Sequence, residues 1–201
     1  GRWQGSLAYL HQTKMHMHLP ALLNLTRTPT WLPESIWLKE VNLWMSAGGT
    51  FTSLHADATE NVMVMVSGAK DFTLFRPNQR ELLYYDQVTE LMNEGVEHKG
   101  KLGGRISDNH GLVDVTAPDL ERFPEYARAH GLHCRVQEGD ALYVPSHWHH
   151  AVHSTAGSVA GRNIGINFWF WPQHSREAAL RLHPLRPDPK KGPARPAAPS
   201  P

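Results

Sequence analysis

Residues Glu138–Ser154 read EGDALYVPSHWHHAVHS. A Gly-Asp turn opens the stretch, and the apolar run Ala141–Val144 that follows has strand character. Pro145 ends that run, because proline has no N–H to give a ladder. Four histidines come next, at 147, 149, 150 and 153. Imidazoles at a strand end, where a sheet opens, are placed to bind something. Working outward, Val41–Met45, Asn61–Val66, Asp71–Phe75 and Ile164–Trp171 also read as strands rather than helices. Ser67-Gly68 predicts a tight hairpin laying Asn61–Val66 against Lys70–Phe75. In Ile164–Trp171, alternation sets Asn167, Trp169 and Trp171 on one face and Ile164, Ile166, Phe168 and Phe170 on the other.

Helical pattern is sparse. Pro20–Leu25 and Pro33–Leu38 predict short turns, Pro118–Ala129 a helix broken at Pro124, and Gln173–Leu182 a terminal helix. The polar stretch Asn78–Thr116 is long for a connection and predicts a lid-like excursion. Pro184–Pro201 holds seven of the fifteen prolines and predicts a disordered, basic tail. The domain is expected over 1–183 and the tail over 184–201.

A chain of 201 residues with 40% apolar content and seven tryptophans can build one core. The net charge is +1, with −3 on residues 1–175, which argues against nucleic acid as partner. No apolar run approaches the roughly 20 residues of a membrane span. Cys134 is the single cysteine, so internal disulfides and cysteine clusters are excluded; it reads as a small buried apolar residue and points to a reducing compartment. The missing initiator Met predicts a chain cut from a longer protein.

Fourteen histidines ask for a metal reading. In Thr52-Ser53-Leu54-His55-Ala56-Asp57, a strand turns His55 and Asp57 to one face, where both reach one ion. Two histidines and a carboxylate with open opposite positions form the ligand set of non-haem Fe(II) oxygenases. Alternation alone does not choose the third ligand among the later histidines. His16 and His18, alternating with methionine, read as an exposed segment ahead of Pro20.

SLHADATEN, ENVMVMVSGAKDFTLFRP, APDLERFPEYARAHGLHCRVQEGD, EGDALYVPSHWHHAVHS and NIGINFWFW in this order resemble the JmjC, cupin-like Fe(II)/2-oxoglutarate oxygenases over about Tyr9–Trp171. The likeness is nearer to the small protein-hydroxylase branch, which includes a lysyl hydroxylase of developmentally regulated GTPases and the asparaginyl hydroxylase of hypoxia-inducible factor. The resemblance implies a mostly β double-stranded β-helix, a jelly-roll (cupin) barrel with short accessory helices. It implies His55, Asp57 and His150 as metal ligands; His150 rather than His149 follows from the family's spacing to Pro145 and Ser154. Lys70, Thr52 and Tyr9 match the residues that hold the distal carboxylate of 2-oxoglutarate, and Asn61 and Asn167 match polar pocket residues. Trp169 and His149 are expected to line the pocket.

The implied cofactors are Fe(II), 2-oxoglutarate and O2. The implied reaction hydroxylates a protein side chain, lysine ahead of asparagine, with release of succinate and CO2. The implied partner is a GTPase or other cytosolic protein, in cytoplasm or nucleus, with homodimerisation a further expectation. A methyl-lysine demethylase, an RNA-modifying hydroxylase and a non-catalytic metal-binding cupin are the alternatives.

Overall fold

The computed structural model describes residues 9–32, 36–85, 109–157 and 161–171. These hold nine strands: β1 (Leu10–Lys14), β2 (Trp37–Ser46), β3 (Thr50–Ala56), β4 (Glu60–Ser67), β5 (Ala69–Phe75), β6 (Leu132–Gln137), β7 (Ala141–Val144), β8 (His149–Thr155) and β9 (Asn163–Trp171). Two short helices, α1 (Met15–His18) and α2 (Pro20–Leu25), follow β1. One sheet runs β1-β2-β9-β4-β7 and the other β3-β8-β5-β6, with antiparallel neighbours throughout. From β2 on, the chain changes sheet at every step except β5 to β6. This is the expected jelly-roll architecture of two facing antiparallel sheets.

The five strands read from the sequence are all present, and β1, β3, β6 and β8 complete the sheets. The hairpin expected at Ser67-Gly68 is corrected: β4 pairs with β7 and β9, and β5 with β6 and β8. A register shift between Met65 and Ser67 and a left-handed Gly68 (φ +79°) turn the chain out of one sheet into the other. A Cβ at Gly68 would stand 2.4 Å from the Thr155 carbonyl, so a corner of this shape needs glycine.

The turn expected over Pro33–Leu38 is also corrected in part, because Trp37 and Leu38 open β2. The helix expected over Pro118–Ala129 reduces to one 3₁₀ segment, Pro124–Arg128, since Pro124 can start such a turn but not sit inside a helix. Of the Asn78–Thr116 excursion, a 3₁₀ segment over Pro77–Leu83 and the return at Asn109–Gly111 are described. Residues 86–108, the terminal helix and the tail lie outside the described residues.

Alternation divides the core. Met63, Met65, Phe72, Leu74, Val136, Val144 and Val152 fill the space between the sheets. Val41, Leu43, Val62, Phe168 and Phe170 point the other way, under Met15 of α1, with Ile164 and Ile166 packed alongside. Leu54, Phe75 and Ala151 back the second sheet against Leu83 and Tyr85. The face division expected for β9 is therefore the one observed.

Candidate active site

β3 and β8 are neighbours, and His55 stands directly opposite His150, with ring centroids 4.2 Å apart. Asp57 lies one residue past the end of β3, where its carbonyl accepts a 2.7 Å hydrogen bond from the His147 N–H. That bond ties the Asp57 loop to the turn that starts β8. His147 makes it from a left-handed backbone (φ +63°). One Asp57 carboxylate oxygen, Oδ2, is 3.8 Å from Nε2 of His55 and 3.8 Å from Nε2 of His150. Among the described residues, these three form the one group whose donor atoms all lie within 4.8 Å of each other.

The donor chemistry fits a metal ion. Nδ1 of His55 is 2.7 Å from the Ser53 carbonyl and Nδ1 of His150 is 3.1 Å from the Trp148 carbonyl. A carbonyl only accepts, so each Nδ1 carries the proton and each Nε2 keeps its lone pair for the centre of the group. Burial, then the neighbouring His150, pushes His55 down to about 3, and burial pushes His150 down to about 4. Both imidazoles are thus neutral ligands at physiological pH.

The group sits in the wall of a cavity of about 370 Å³, mouth included, between the two sheets. Tyr9, Thr52, Asn61, Lys70, Asn167 and Trp169, with the three metal-binding candidates, all line it. Thr52 and His55 are three apart and would face opposite ways on a regular strand. A bulge between them, in which β3 spends one residue more than β8, returns both to the cavity.

Lys70 is 2% exposed and its Nζ donates to Ser154 Oγ, its cross-strand neighbour, at 2.7 Å. Burial brings its ammonium down to about 8. Gly165 makes room for it: a Cβ there would come within 3.3 Å of Lys70 Cε and 3.0 Å of Met63 Sδ. Tyr9 and Thr52 share a side-chain hydrogen bond, and burial raises the Tyr9 phenol despite it. A cation with two hydroxyls beside it suits a carboxylate. A buried ammonium that has only a hydroxyl partner lacks its counter-ion.

His149 is not in this wall. Being one residue out of step with His150, it faces the other side of β8, its ring 4.6 Å from that of Tyr85 and its Nε2 3.3 Å from the Pro77 carbonyl. The expectation that it lines the pocket is corrected by strand parity. His16 and His18 are exposed on α1, as expected.

Sequence reasoning missed Trp44, Met63, Phe72 and Val152, which complete the lining, and Ser154, which holds Lys70. Counting by twos from His150 reaches Val152 and Ser154, and from Asn61 reaches Met63. Trp44 donates to Asn167 Oδ1 at 2.8 Å, and Asn167 Nδ2 donates to Asn61 Oδ1 at 3.0 Å. Indole only donates, so the polarity of the chain is fixed and the Asn61 NH2 is left for the cavity.

A family model described as a cupin-like domain matches residues 3–176. Over 166 residues the chain is 32% identical to the human bifunctional peptidase and (3S)-lysyl hydroxylase JMJD7, covering 76% of this chain and 49% of that protein. Lysine-specific demethylase JMJ32 of Arabidopsis thaliana is 31% identical over 142 residues, 65% of this chain and 41% of its own. Lysine-specific demethylase 8 of Danio rerio is 28% identical over 179 residues, 85% of this chain and 37% of its own. The chain spans about half the length of these relatives or less.

Proposed function

Because the chain belongs to the cupin-like family of JmjC proteins, we propose that it is an Fe(II)- and 2-oxoglutarate-dependent dioxygenase that hydroxylates a protein side chain, lysine ahead of asparagine. The observation that carries the proposal is the convergence of His55 Nε2, His150 Nε2 and the Asp57 carboxylate on one point of a cavity that also holds a buried ammonium. His55, Asp57 and His150 would hold the iron. When bound, Fe(II), 2-oxoglutarate and O2 supply oxidative decarboxylation to succinate and CO2, coupled to insertion of one oxygen atom into a C–H bond.

The chain's own residues bind and orient. Lys70 neutralises the far carboxylate of the cosubstrate, with Tyr9 and Thr52 as hydroxyl donors beside it. The Asn61 NH2, its polarity fixed through Asn167 and Trp44, is left to donate to a ligand in the cavity. Met63, Phe72 and Val152 keep water from the walls, which strengthens each of these contacts. Trp169 flanks the reaction space.

Lysine is preferred because the human relative carries lysyl hydroxylase in its name. Methyl-lysine demethylation is the second reading, favoured by the demethylase names of the plant and fish relatives. The substrate is then a protein, a GTPase or another cytosolic protein, met in cytoplasm or nucleus. Residues 1–183 form the catalytic unit and 184–201 a tail. Among the described residues no helix is long and apolar enough to cross a membrane.

The test is an anaerobic titration of the Fe(II)-loaded chain with 2-oxoglutarate, following the visible charge-transfer band of the chelate. A saturable band that Asp57→Ala and Lys70→Ala both weaken is expected. No band in folded, iron-loaded protein would leave a metal-binding cupin without oxygenase chemistry. Mass spectrometry of partner proteins then separates hydroxylation, a gain of one oxygen, from loss of a methyl group.

A further inference from the structure

Glu60 is not among the residues lining the cavity, yet its carboxylate holds the turn that leads to His150. It opens β4, three residues past Asp57, and is half-buried. Oε2 accepts from the Tyr143 hydroxyl at 2.6 Å and from the Ser146 N–H at 3.0 Å, and Oε1 accepts from the Ser146 hydroxyl at 3.1 Å. Ser146 is thus gripped twice, through main chain and side chain. A charged acceptor makes such bonds roughly twice as strong as neutral ones.

Ser146 sits where the ladder gives no support. The last pair between β4 and β7 is Asn61 with Val144, and β8 begins at His149, so residues 145–148 cross from one sheet to the other. The next residue, His147, holds a left-handed backbone (φ +63°), which persists in a non-glycine residue only where its surroundings impose it. Its N–H donates to the Asp57 carbonyl, and the Trp148 N–H donates to the Pro145 carbonyl at 3.2 Å. The Trp148 carbonyl in turn accepts from His150 Nδ1. A continuous run of bonds therefore leads from the Glu60 carboxylate, through the turn, to Asp57 on one side and His150 on the other.

We infer that Glu60 is a positioning residue of the metal group: by clasping Ser146 it sets the Asp57 carboxylate against the His150 imidazole. The inference rests on the metal-binding reading of His55, Asp57 and His150, and it adds a residue outside the cavity on which their geometry depends. With Ser146 released, His147 is free to leave the left-handed region, and its bond to Asp57 goes with it. Ligands held by such outer bonds keep one arrangement; ligands without them fluctuate and bind the ion less well.

The test uses the full chain, metal-free, with Co(II) as the probe, since its visible absorption bands report ligand geometry. Two readouts are taken: the bands with the rate of Co(II) release to EDTA, and hydrogen exchange at the His147 N–H without metal. Glu60→Ala should shift the bands and release Co(II) about tenfold faster, with His147 exchange accelerated in parallel. Glu60→Gln should stay close to the parent, because its carbonyl serves Tyr143 and the Ser146 N–H while the Ser146 hydroxyl turns to accept from the amide. Tyr143→Phe removes a bond to the same carboxylate but none to the turn, so it should lower the melting temperature and leave release and exchange near the parent. Ser146→Ala, expected to speed release several-fold, decides where Glu60→Ala fails to fold. Parent-like release or exchange in these alanine variants would overturn the clasp. So would a Tyr143→Phe chain that loses Co(II) as fast as they do, since general loss of stability would then suffice. A parent that binds no Co(II) would overturn the metal reading, while His147 exchange still judges the clasp.

Discussion

Lys70 carries a charge in a place that disfavours it. With its ammonium near 8 against an ordinary value near 10.4, burial costs the fold about 3 kcal/mol at neutral pH. The unfolded chain holds this proton more tightly than the folded one, so the penalty is complete below about pH 8 and disappears above about 10.4. Lys70→Met should therefore raise stability at pH 7 by about 1–3 kcal/mol in urea titrations, after loss of the Ser154 hydrogen bond. In the same variant calorimetry should find 2-oxoglutarate binding reduced by two orders of magnitude or more. Trp44→Phe keeps the ring but leaves Asn167 Oδ1 unpaired, which costs about 1–3 kcal/mol. With the amide polarity released, 2-oxoglutarate should bind several-fold more weakly by calorimetry, while metal affinity holds. At this scale the sequence offered His55 and Asp57 as a chelating pair on one strand face, and the structure brings both together with His150; Lys70 came from the family resemblance, because a lysine just past Ser67-Gly68 reads by itself as an exposed turn residue. The sequence was not readable where the parity of an unseen strand decided, as between His149 and His150, whose assignment came from family spacing.

Two irregular elements do most of the positioning. The β3 bulge lets Thr52 and His55 share the cavity, and the Gly68 corner carries the chain from the sheet of Asn61 to the sheet of Lys70. Gly68→Ala meets the Thr155 carbonyl and a backbone angle that alanine resists, so about 2–3 kcal/mol of stability should be lost, measurable as a lower urea midpoint with unchanged slope. Strands such as Val41–Met45 and Ile164–Trp171 were legible because apolar residues recur at every second position, Val41 and Leu43 in one and Ile164, Ile166, Phe168 and Phe170 in the other, and pack together on one face. His149–Thr155 hid because polar His150 and Ser154 occupy its cavity face and apolar Ala151 its other face. Ser67-Gly68 looked like a hairpin because turn chemistry specifies a bend and says nothing about which sheet receives the next strand.

The whole molecule keeps two imidazoles neutral between its sheets, and that ties stability to acidity. Unfolded, His55 and His150 would take up protons near pH 6.5; folded, they resist until about 3 and about 4. The stability contribution is complete above about pH 6.5 and is lost as pH falls toward 4. The metal-free protein should show a falling melting temperature across that window by calorimetry, and His150→Asn should flatten the fall. In a metal-loaded sample the ion should be released over the same range, since proton and metal compete for Nε2. The position of β9 has a different consequence, for synthesis. It is the last of the described strands along the chain, yet it lies at the centre of its sheet, with β2 on one side and β4 on the other. At about 5–20 residues per second, a ribosome needs roughly 5–20 seconds to travel from the end of β4 to the start of β9. Throughout that interval β2 and β4 each lack the neighbour that β9 supplies, so a truncation ending before Asn163 should accumulate as aggregate.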